Sequence, residues 1–274
     1  MFVKDMQDAG GGIFITDFDC GNGRRAMSKV VLITGASRGI GRAAAILCGE
    51  RGWSVGINYA GNREAAELTA EDVRKAGGQA ITLQGDVAVE ADVIAMFDET
   101  EKQFGQLDGV VVNAGIVAPS QQLADMSAER LKRMFDVNVL GAYLCARESA
   151  RRLSVERSGK GGSIVLVSSV ASRIGSPFEY IDYAGSKAAV DTLALGLSKE
   201  LGAQKVRVNA VRPGLVNTDI HASGGQPDRA HRLGVNTPMG RPGEASEIAE
   251  AIVWLLSDAS SYTSGALLDV SGGR

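Results

Sequence analysis

The sequence predicts a doubly wound α/β fold, with a mostly parallel, seven-stranded sheet and helices on both faces. From Lys29 onward, short β-branched runs alternate with longer amphipathic stretches, the rhythm of a crossover-connected sheet. The strand candidates are apolar throughout instead of alternating, as strands covered on both faces are. A glycine-rich turn joins the first strand to the first helix, the usual site of a phosphate in such sheets.

Each element follows in order. Val30-Val31-Leu32-Ile33 opens the first strand, 30–34, and the glycine turn leads into a helix over 39–51. The second strand is 54–58 and its helix 62–76; the third strand is 80–83. In the helix over 90–104, Val93, Met96 and Phe97 share one face at i, i+3 and i+4. The strand 109–113 is nearly all valine and precedes a long helix over 127–155. Strand 163–168, helix 182–202, strand 206–211, helix 245–257 and strand 266–270 complete the alternation. Right-handed crossovers then wind the sheet in both directions.

Two segments stand outside this pattern. Residues 1–26 carry Gly10-Gly11-Gly12 and Gly21-Asn22-Gly23 without periodicity and are expected to be a flexible leader, with a single domain over 27–274. The stretch 215–241, rich in Gly and Pro, is expected to form a mobile substrate lid.

Composition narrows the function. The 274 residues have a net charge of -3, which gives no footprint for nucleic acid or an anionic membrane. No uninterrupted apolar run is long enough to span a bilayer. Basic residues over 151–160 read as a solvated helix end. Cys20, Cys48 and Cys145 are too few and too scattered for a disulfide framework or a metal pair, so a reducing cytoplasm is expected. With only His221 and His231 in the chain, a His-rich metal site and a Ser-His-Asp hydrolase are both poor readings, and no metal is expected.

The turn itself reads Thr34-Gly35-Ala36-Ser37-Arg38-Gly39-Ile40-Gly41. Glycine allows close backbone approach to a phosphate, and the helix start supplies unpaired N–H groups. The spacing is Gly-x3-Gly-x-Gly. The Gly-x-Gly-x-x-Ala form of the dinucleotide fingerprint does occur from Gly21 to Ala26, but it runs into a strand, offers no helix terminus, and is rejected.

The turn is followed by Asn113-Ala114-Gly115 after the fourth strand and Ser168-Ser169 after the fifth. Tyr183-Ala184-Gly185-Ser186-Lys187 then lies on a helix, and Arg212-Pro213-Gly214 with Thr218 follows the sixth strand. This ordered set, over essentially all of 28–274, resembles the short-chain dehydrogenase/reductase family. The resemblance implies a Rossmann-like fold and hydride transfer between NADP(H), or NAD(H), and an alcohol or carbonyl. It places Gly35, Arg38, Gly39, Ile40 and Gly41 at the pyrophosphate and adenosine, and Asp86 with Val87 at the adenine. Asn113, Ala114 and Gly115 would line the cofactor; Val112 stands where the family often has a second Asn. Pro213, Gly214, Val216 and Thr218 correspond to the segment that grips the carboxamide, and Asn138 to the fourth catalytic position. A homotetramer packed through the helices at 127–155 and 182–202 is also implied.

The chemistry fits these residue types. A free tyrosine has a pKa near ~10 and is a poor base. Lys187 lies one helical turn beyond Tyr183, so its charge is expected to favour the phenolate, and it is expected to bind the ribose. Tyr183 then serves as general acid or base, Ser169 holds the substrate oxygen, and Asn138 supports a relay water. Ser169 stands fourteen positions before Tyr183, one more than the family's usual spacing, and the loop at Pro177-Phe178-Glu179 is expected to absorb the extra residue. Tyr180 belongs to that entry loop and is expected to line the substrate pocket. The end of the second strand reads Asn58-Tyr59-Ala60-Gly61-Asn62-Arg63 without an acid, which predicts NADP(H), with Arg38 and Arg63 on the ribose phosphate. A non-catalytic NADP(H) sensor on the same fold is the alternative, and it would be expected to lack the Tyr/Lys pair. Among substrates, sugars or polyols, ketones and acyl thioesters stay open.

Overall fold

The computed structural model describes residues 28–274. The expected leader and the rejected motif at 21–26 lie outside the described residues. Seven strands form one parallel sheet: β1 Val30–Ile33, β2 Ser54–Tyr59, β3 Gln79–Gln84, β4 Gly109–Val112, β5 Gly162–Val167, β6 Val206–Pro213 and, after the two short strands given below, β9 Leu267–Val270. Their order is β3-β2-β1-β4-β5-β6-β9, with Leu32 of β1 in register with Gly56 on one side and Val110 on the other.

Helices cover both faces. On one lie α1 (Gly39–Glu50), α2 (Arg63–Lys75) and α10 (Ala245–Leu256), packed through Ala44, Ala45, Ala66, Ile248 and Ile252. On the other lie α3 (Glu90–Phe104), α5 (Ala142–Leu153) and α7 (Ile181–Leu201), around Phe97, Cys145 and Val190. Phe97 is wholly buried, and a side chain of that kind contributes about 1.5–3 kcal/mol by leaving water. Alanines on α1 let it approach the sheet closely.

The strand order reverses between β1 and β4, which opens a crevice at the carboxyl edge of the sheet. The glycine turn and the motifs that follow β4, β5 and β6 emerge at that edge.

Three features depart from the sequence reading. The helix expected over 127–155 is three pieces: α4 (Ala128–Phe135), a π-helical segment Asp136–Gly141, and α5. The wider π turn falls where Asn138 hydrogen-bonds the chain after β4 and where Gly141 packs so tightly that a Cβ would meet Val87 at 2.7 Å. A short helix, α6 (Ala171–Ile174), follows β5. The segment expected as a lid is folded: it contains β7 (Val216–Asn217), α8 (Ile220–Ser223) and α9 (Arg229–Gly234), and β7 pairs with β8 (Gly243–Glu244). The basic run over 151–160 is ion-paired as well as solvated, Arg152 with Asp98, Glu101 and Glu148, and Lys160 with Asp108.

Candidate functional site

A cleft of about 510 Å³ runs along the carboxyl edge from the glycine turn to the end of the chain. Gly35 and Gly39 both adopt left-handed backbone, at φ +64 and +57, which glycine alone accepts without strain. At Gly35 a Cβ would also strike the Ala114 backbone at 2.9 Å. The N-cap Arg38 makes no side-chain cap to this twelve-residue helix, whose first residues, Gly39 and Ile40, line the cleft. An uncapped helix start behind a glycine turn fits a dinucleotide pyrophosphate.

The turn is held from below by Asn58, a polar residue buried at the end of β2. Its Oδ1 accepts from Gly35 N at 3.0 Å, and its Nδ2 donates to the carbonyls of Leu83 and Gly85 at 3.2 and 3.0 Å. Asn113 clamps the other side, donating to the carbonyls of Thr34 and Gly35 at 2.8 and 3.0 Å. Sequence reasoning gave Asn58 no role. A lone amide inside an apolar strand is the signal it offered.

Of the expected cofactor residues, Gly35, Arg38, Gly39, Ile40, Tyr59, Asn62, Asp86, Val87, Asn113, Ala114 and Gly115 line the cleft. So do Pro213, Gly214, Val216 and Thr218 on the opposite wall. Two do not. Gly41 is buried under the turn, where a Cβ would lie 2.6 Å from Asn113 Nδ2 and 2.7 Å from Gly35 O, so it is a packing glycine. Arg63 points along α2 toward Glu67 at 3.9 Å with its side chain 79% exposed. Asn62 lines the cleft but spends its Oδ1 on capping α2 at Ala65 N, and Asp86 accepts from Ala88 N and pairs with Arg133 at 3.2 Å.

At the centre of the cleft, Ser169 and Tyr183 line the same wall, with Ser169 Oγ accepting from Ala171 N at 3.1 Å. The extra residue between them is taken up in a loop where Gly175, Ser176 and Phe178 adopt positive φ, beginning slightly earlier than the sequence reading expected. Lys187 lies one turn along α7, its Nζ 5.7 Å from the Tyr183 ring centroid and donating to Val167 O at 2.8 Å. Ser168 Oγ donates to Lys187 O at 3.0 Å, tying this turn of α7 to the end of β5.

Burial pushes the Tyr183 phenol up from its ordinary value, and Ser169 opposes that rise. Lys187 is buried too: desolvation brings its pKa down to about 8, with Asp191 opposing. The balance in the cleft thus runs toward a neutral phenol, a proton donor.

Asn138 sits behind the cleft wall. Its Nδ2 donates to Ile116 O and Ser186 Oγ, and its Oδ1 accepts from Ile116 N at 2.8 Å. Both amide protons are used, and one Oδ1 lone pair remains for a water. A Cβ on Gly115 would lie 3.3 Å from both Asn138 Oδ1 and Lys187 Nζ, so the two groups flank that glycine.

Sequence reasoning also missed the clamp that carries Tyr183. Arg130 Nε donates to Asp182 Oδ2 at 2.9 Å while Asp182 Oδ1 accepts from Tyr183 N at 2.9 Å. The same guanidinium donates to Pro119 O at 2.6 Å, so the loop after β4 and the start of α7 move together. Tyr180 lines the cleft as expected, its hydroxyl accepting from Gln226 Nε2 at 2.8 Å.

A phosphate-cradling turn, a Rossmann-like sheet and a Ser/Tyr/Lys group in one cleft define a nicotinamide-dependent oxidoreductase. The chain belongs to the short-chain dehydrogenase/reductase family, and it transfers hydride between NAD(P)(H) and an alcohol or carbonyl group of a small molecule. Residues 35–274 match the family model described as Enoyl-(Acyl carrier protein) reductase. The chain is 49% identical over 245 residues to the uncharacterized oxidoreductase YgfF of Escherichia coli strain K12, an alignment spanning 89% of this chain and 99% of that one. It is 36% identical over 256 residues to the NADPH-dependent aldehyde reductase-like chloroplastic protein of Arabidopsis thaliana, covering 89% and 93%. A short-chain type dehydrogenase/reductase from Mycobacterium marinum superposes with a TM-score of 0.83 at 34% identity, covering 89% of this chain and 94% of that one.

Proposed function

We propose that the enzyme is NADP(H)-preferring and that Tyr183 exchanges the proton with the substrate oxygen. The observation that carries this is the gathering of Ser169, Tyr183 and Lys187 in one cleft that also holds the glycine turn, with Lys187 Nζ 5.7 Å from the Tyr183 ring centroid. The bound cofactor supplies or takes the hydride. Ser169 orients the carbonyl oxygen and stabilises its growing charge, and Tyr183 donates its proton to that oxygen in reduction. Lys187 holds the ribose and offsets the phenolate that remains; Asn138 supports the water that returns the proton from solvent.

The cofactor preference rests on Arg38. It is exposed at the cleft mouth with no ion pair among the described residues, and no carboxylate ends β2. Arg63 takes no part in this reading. The NADPH dependence named for the Arabidopsis relative supports it. Replacing Arg38 by Ala is expected to weaken NADPH binding roughly ten- to hundredfold, the worth of one charged hydrogen-bonded contact. NADH binding should hardly change. Equal catalytic efficiency with NADH in the native enzyme would overturn the preference.

We further propose a single domain over 27–274, with 215–241 as its lid and residues 1–26 dispensable. A chain beginning at Met27 should keep melting temperature and turnover, and hydrogen exchange in 215–241 should slow when cofactor and substrate bind. The exposed apolar residues Phe135, Leu140 and Tyr143, with Ile181 and Leu195 of α7, support a homotetramer packed through these helices. Light scattering on the purified protein reads that assembly, and a monomer would contradict it. Buried free thiols at Cys48 and Cys145 are consistent with a cytoplasmic location, which cell fractionation tests. Among the described residues, no helix is long and apolar enough to cross a membrane.

A further inference from the structure

Two buried carboxylates flank the reactive turn of α7. Asp182 immediately precedes Tyr183, and Asp191 lies four residues beyond Lys187, on the same helix face. Asp182 has a full set of partners, Arg130 on one oxygen and Tyr183 N on the other. Asp191 does not. The two Arg212 donors that reach it, Nε at 3.1 Å and Nη2 at 2.9 Å, both end on Oδ2. Oδ1 is buried and has no hydrogen-bond partner among the described residues.

A carboxylate taken out of water and only half satisfied is costly, and a nearby opposite charge offsets that cost. Helix side chains lean toward the N-terminus, which carries the Asp191 carboxylate back over the turn of Lys187. Lys187 and Asp191 are 4% and 7% exposed, so both charges lie in the same dry layer between α7 and the sheet. There an ammonium and a carboxylate one helical turn apart attract more strongly than they would at a surface. The hydrogen-bond acceptor of the Lys187 ammonium, Val167 O, is neutral.

The other charged groups on the elements packed against this turn are matched elsewhere. Arg212 of β6 also reaches Asp269 Oδ1 at 3.6 Å, and Asp269, its register partner on β9, pairs with Arg173 of α6 at 2.9 Å. Arg130 of α4 belongs to Asp182, Asp136 of the π-helical segment pairs with Lys132, and Glu148 of α5 pairs with Arg151 and Arg152. Strand β5 carries no charge. Asp191 is therefore the carboxylate beside Lys187 with an oxygen to spare, and its charge opposes the fall that burial imposes on the lysine. Neither Asp191 nor Arg212 lines the cleft, so their effect on the reaction passes through Lys187.

We infer that Asp191, braced by Arg212, is a positioning residue that holds the Lys187 ammonium in its charged form beside Tyr183. This rests on the role proposed for Lys187, which has to be charged to offset a phenolate. Arg212 keeps the carboxylate ionised while leaving Oδ1 free to act on the lysine.

The deciding test is urea unfolding of the full chain between about pH 6 and 11, each background compared with and without Lys187→Met so that other titrating groups cancel. In the native background the difference begins to rise at about pH 8. Asp191→Asn keeps the shape and removes the charge, and should move the start of that rise about one pH unit lower. Arg212→Gln leaves the Asp191 charge unopposed and should move it about one pH unit higher. Damaged packing alone would not produce opposite shifts. The double variant Asp191→Asn/Arg212→Gln leaves neither charge orphaned, and its rise should start between those of native and Asp191→Asn. It decides the question if a single variant does not fold. A start unmoved from native in the double variant, or single variants that shift the same way, would overturn the inference.

The pH profile of kcat/KM, measured with NADPH and 4-nitrobenzaldehyde, separates this claim from the one beneath it. Its alkaline limb should move in the same order as the unfolding windows. If the windows move and the limb does not, Asp191 controls the charge of Lys187 and the role proposed for Lys187 in turnover fails. If the windows stay fixed while Lys187→Met is slow, that role stands and the inference about Asp191 falls. The unfolding windows need no substrate and are read in either case.

Discussion

Replacing Lys187 by Met probes the most strained electrostatic element of the cleft. The Lys187 pKa is lowered from 10.5 to about 8, chiefly by burial, and its side chain is almost wholly enclosed. A tenfold change in a protonation equilibrium is worth about 1.4 kcal/mol, so charging Lys187 in the folded state costs about 3 kcal/mol relative to the unfolded chain. The sign follows from proton binding. Between pH 8 and 10.5 the unfolded chain binds more protons at this group than the folded one, so the native enzyme gains stability from this group as pH rises through that window. Below pH 8 the full penalty is present; above 10.5 it is gone. Met carries no charge and removes the donor to Val167 O, a loss of about 1 kcal/mol that does not vary with pH. Urea unfolding followed by Trp53 and Trp254 fluorescence should therefore show native stability rising by about 3 kcal/mol relative to the variant from pH 8 to 10.5. A difference that stays flat across this range would refute a buried, depressed lysine.

Two further perturbations follow from the packing. Arg130→Met leaves the Asp182 carboxylate buried without its partner, and should lower stability by about 3–5 kcal/mol in urea unfolding; Asp182→Asn in the same chain should recover much of it, and a change below about 1 kcal/mol in the single variant would show the clamp to be unimportant. Gly41→Ala forces a methyl against Asn113 Nδ2 and Gly35 O, and should cost about 1–3 kcal/mol and weaken NADPH binding, read by unfolding and by fluorescence titration; unchanged binding would show that the turn tolerates displacement.

The strands were readable because a parallel sheet buried on both faces demands continuous apolar runs, and Val30–Ile33 and Gly109–Val112 supply them without interruption. The helix over Glu90–Phe104 was readable to the residue, since its apolar spacing is regular and Gly105 closes it. The π segment at Asp136–Gly141 was not, because one widened turn hardly disturbs the periodicity on either side, and its cause is a bond from Asn138 to Ile116, 22 residues away. In the segment 215–241, α8 and α9 span four and six residues, too short to show a period at all. The residues lining the cleft were largely visible as motifs. The residues that hold them in place were not, because Asn58 under Gly35 and Arg130 against Asp182 act across 23 and 52 positions of chain. Gly41 and Arg63 show the converse: each belongs to a stretch that reads as cofactor contact, and the structure packs one under the turn and extends the other into solvent.

The role proposed for Tyr183 is the centre of this account, and removing its hydroxyl tests it most directly. Tyr183→Phe keeps the ring beside Lys187 and deletes the hydroxyl proposed to exchange the proton with the substrate oxygen. Tyr180→Phe serves as the control, since its hydroxyl is engaged by Gln226 and its ring by Arg229. The measurement is kcat for NADPH oxidation on a carbonyl substrate the native enzyme turns over, alongside the Kd for NADPH. Loss of general acid–base catalysis should lower kcat by about 10²–10⁴-fold in Tyr183→Phe with the Kd little changed, while Tyr180→Phe alters KM at most. Near-native kcat in Tyr183→Phe would contradict the proton-transfer role, and the chemistry would have to be sought elsewhere in the cleft.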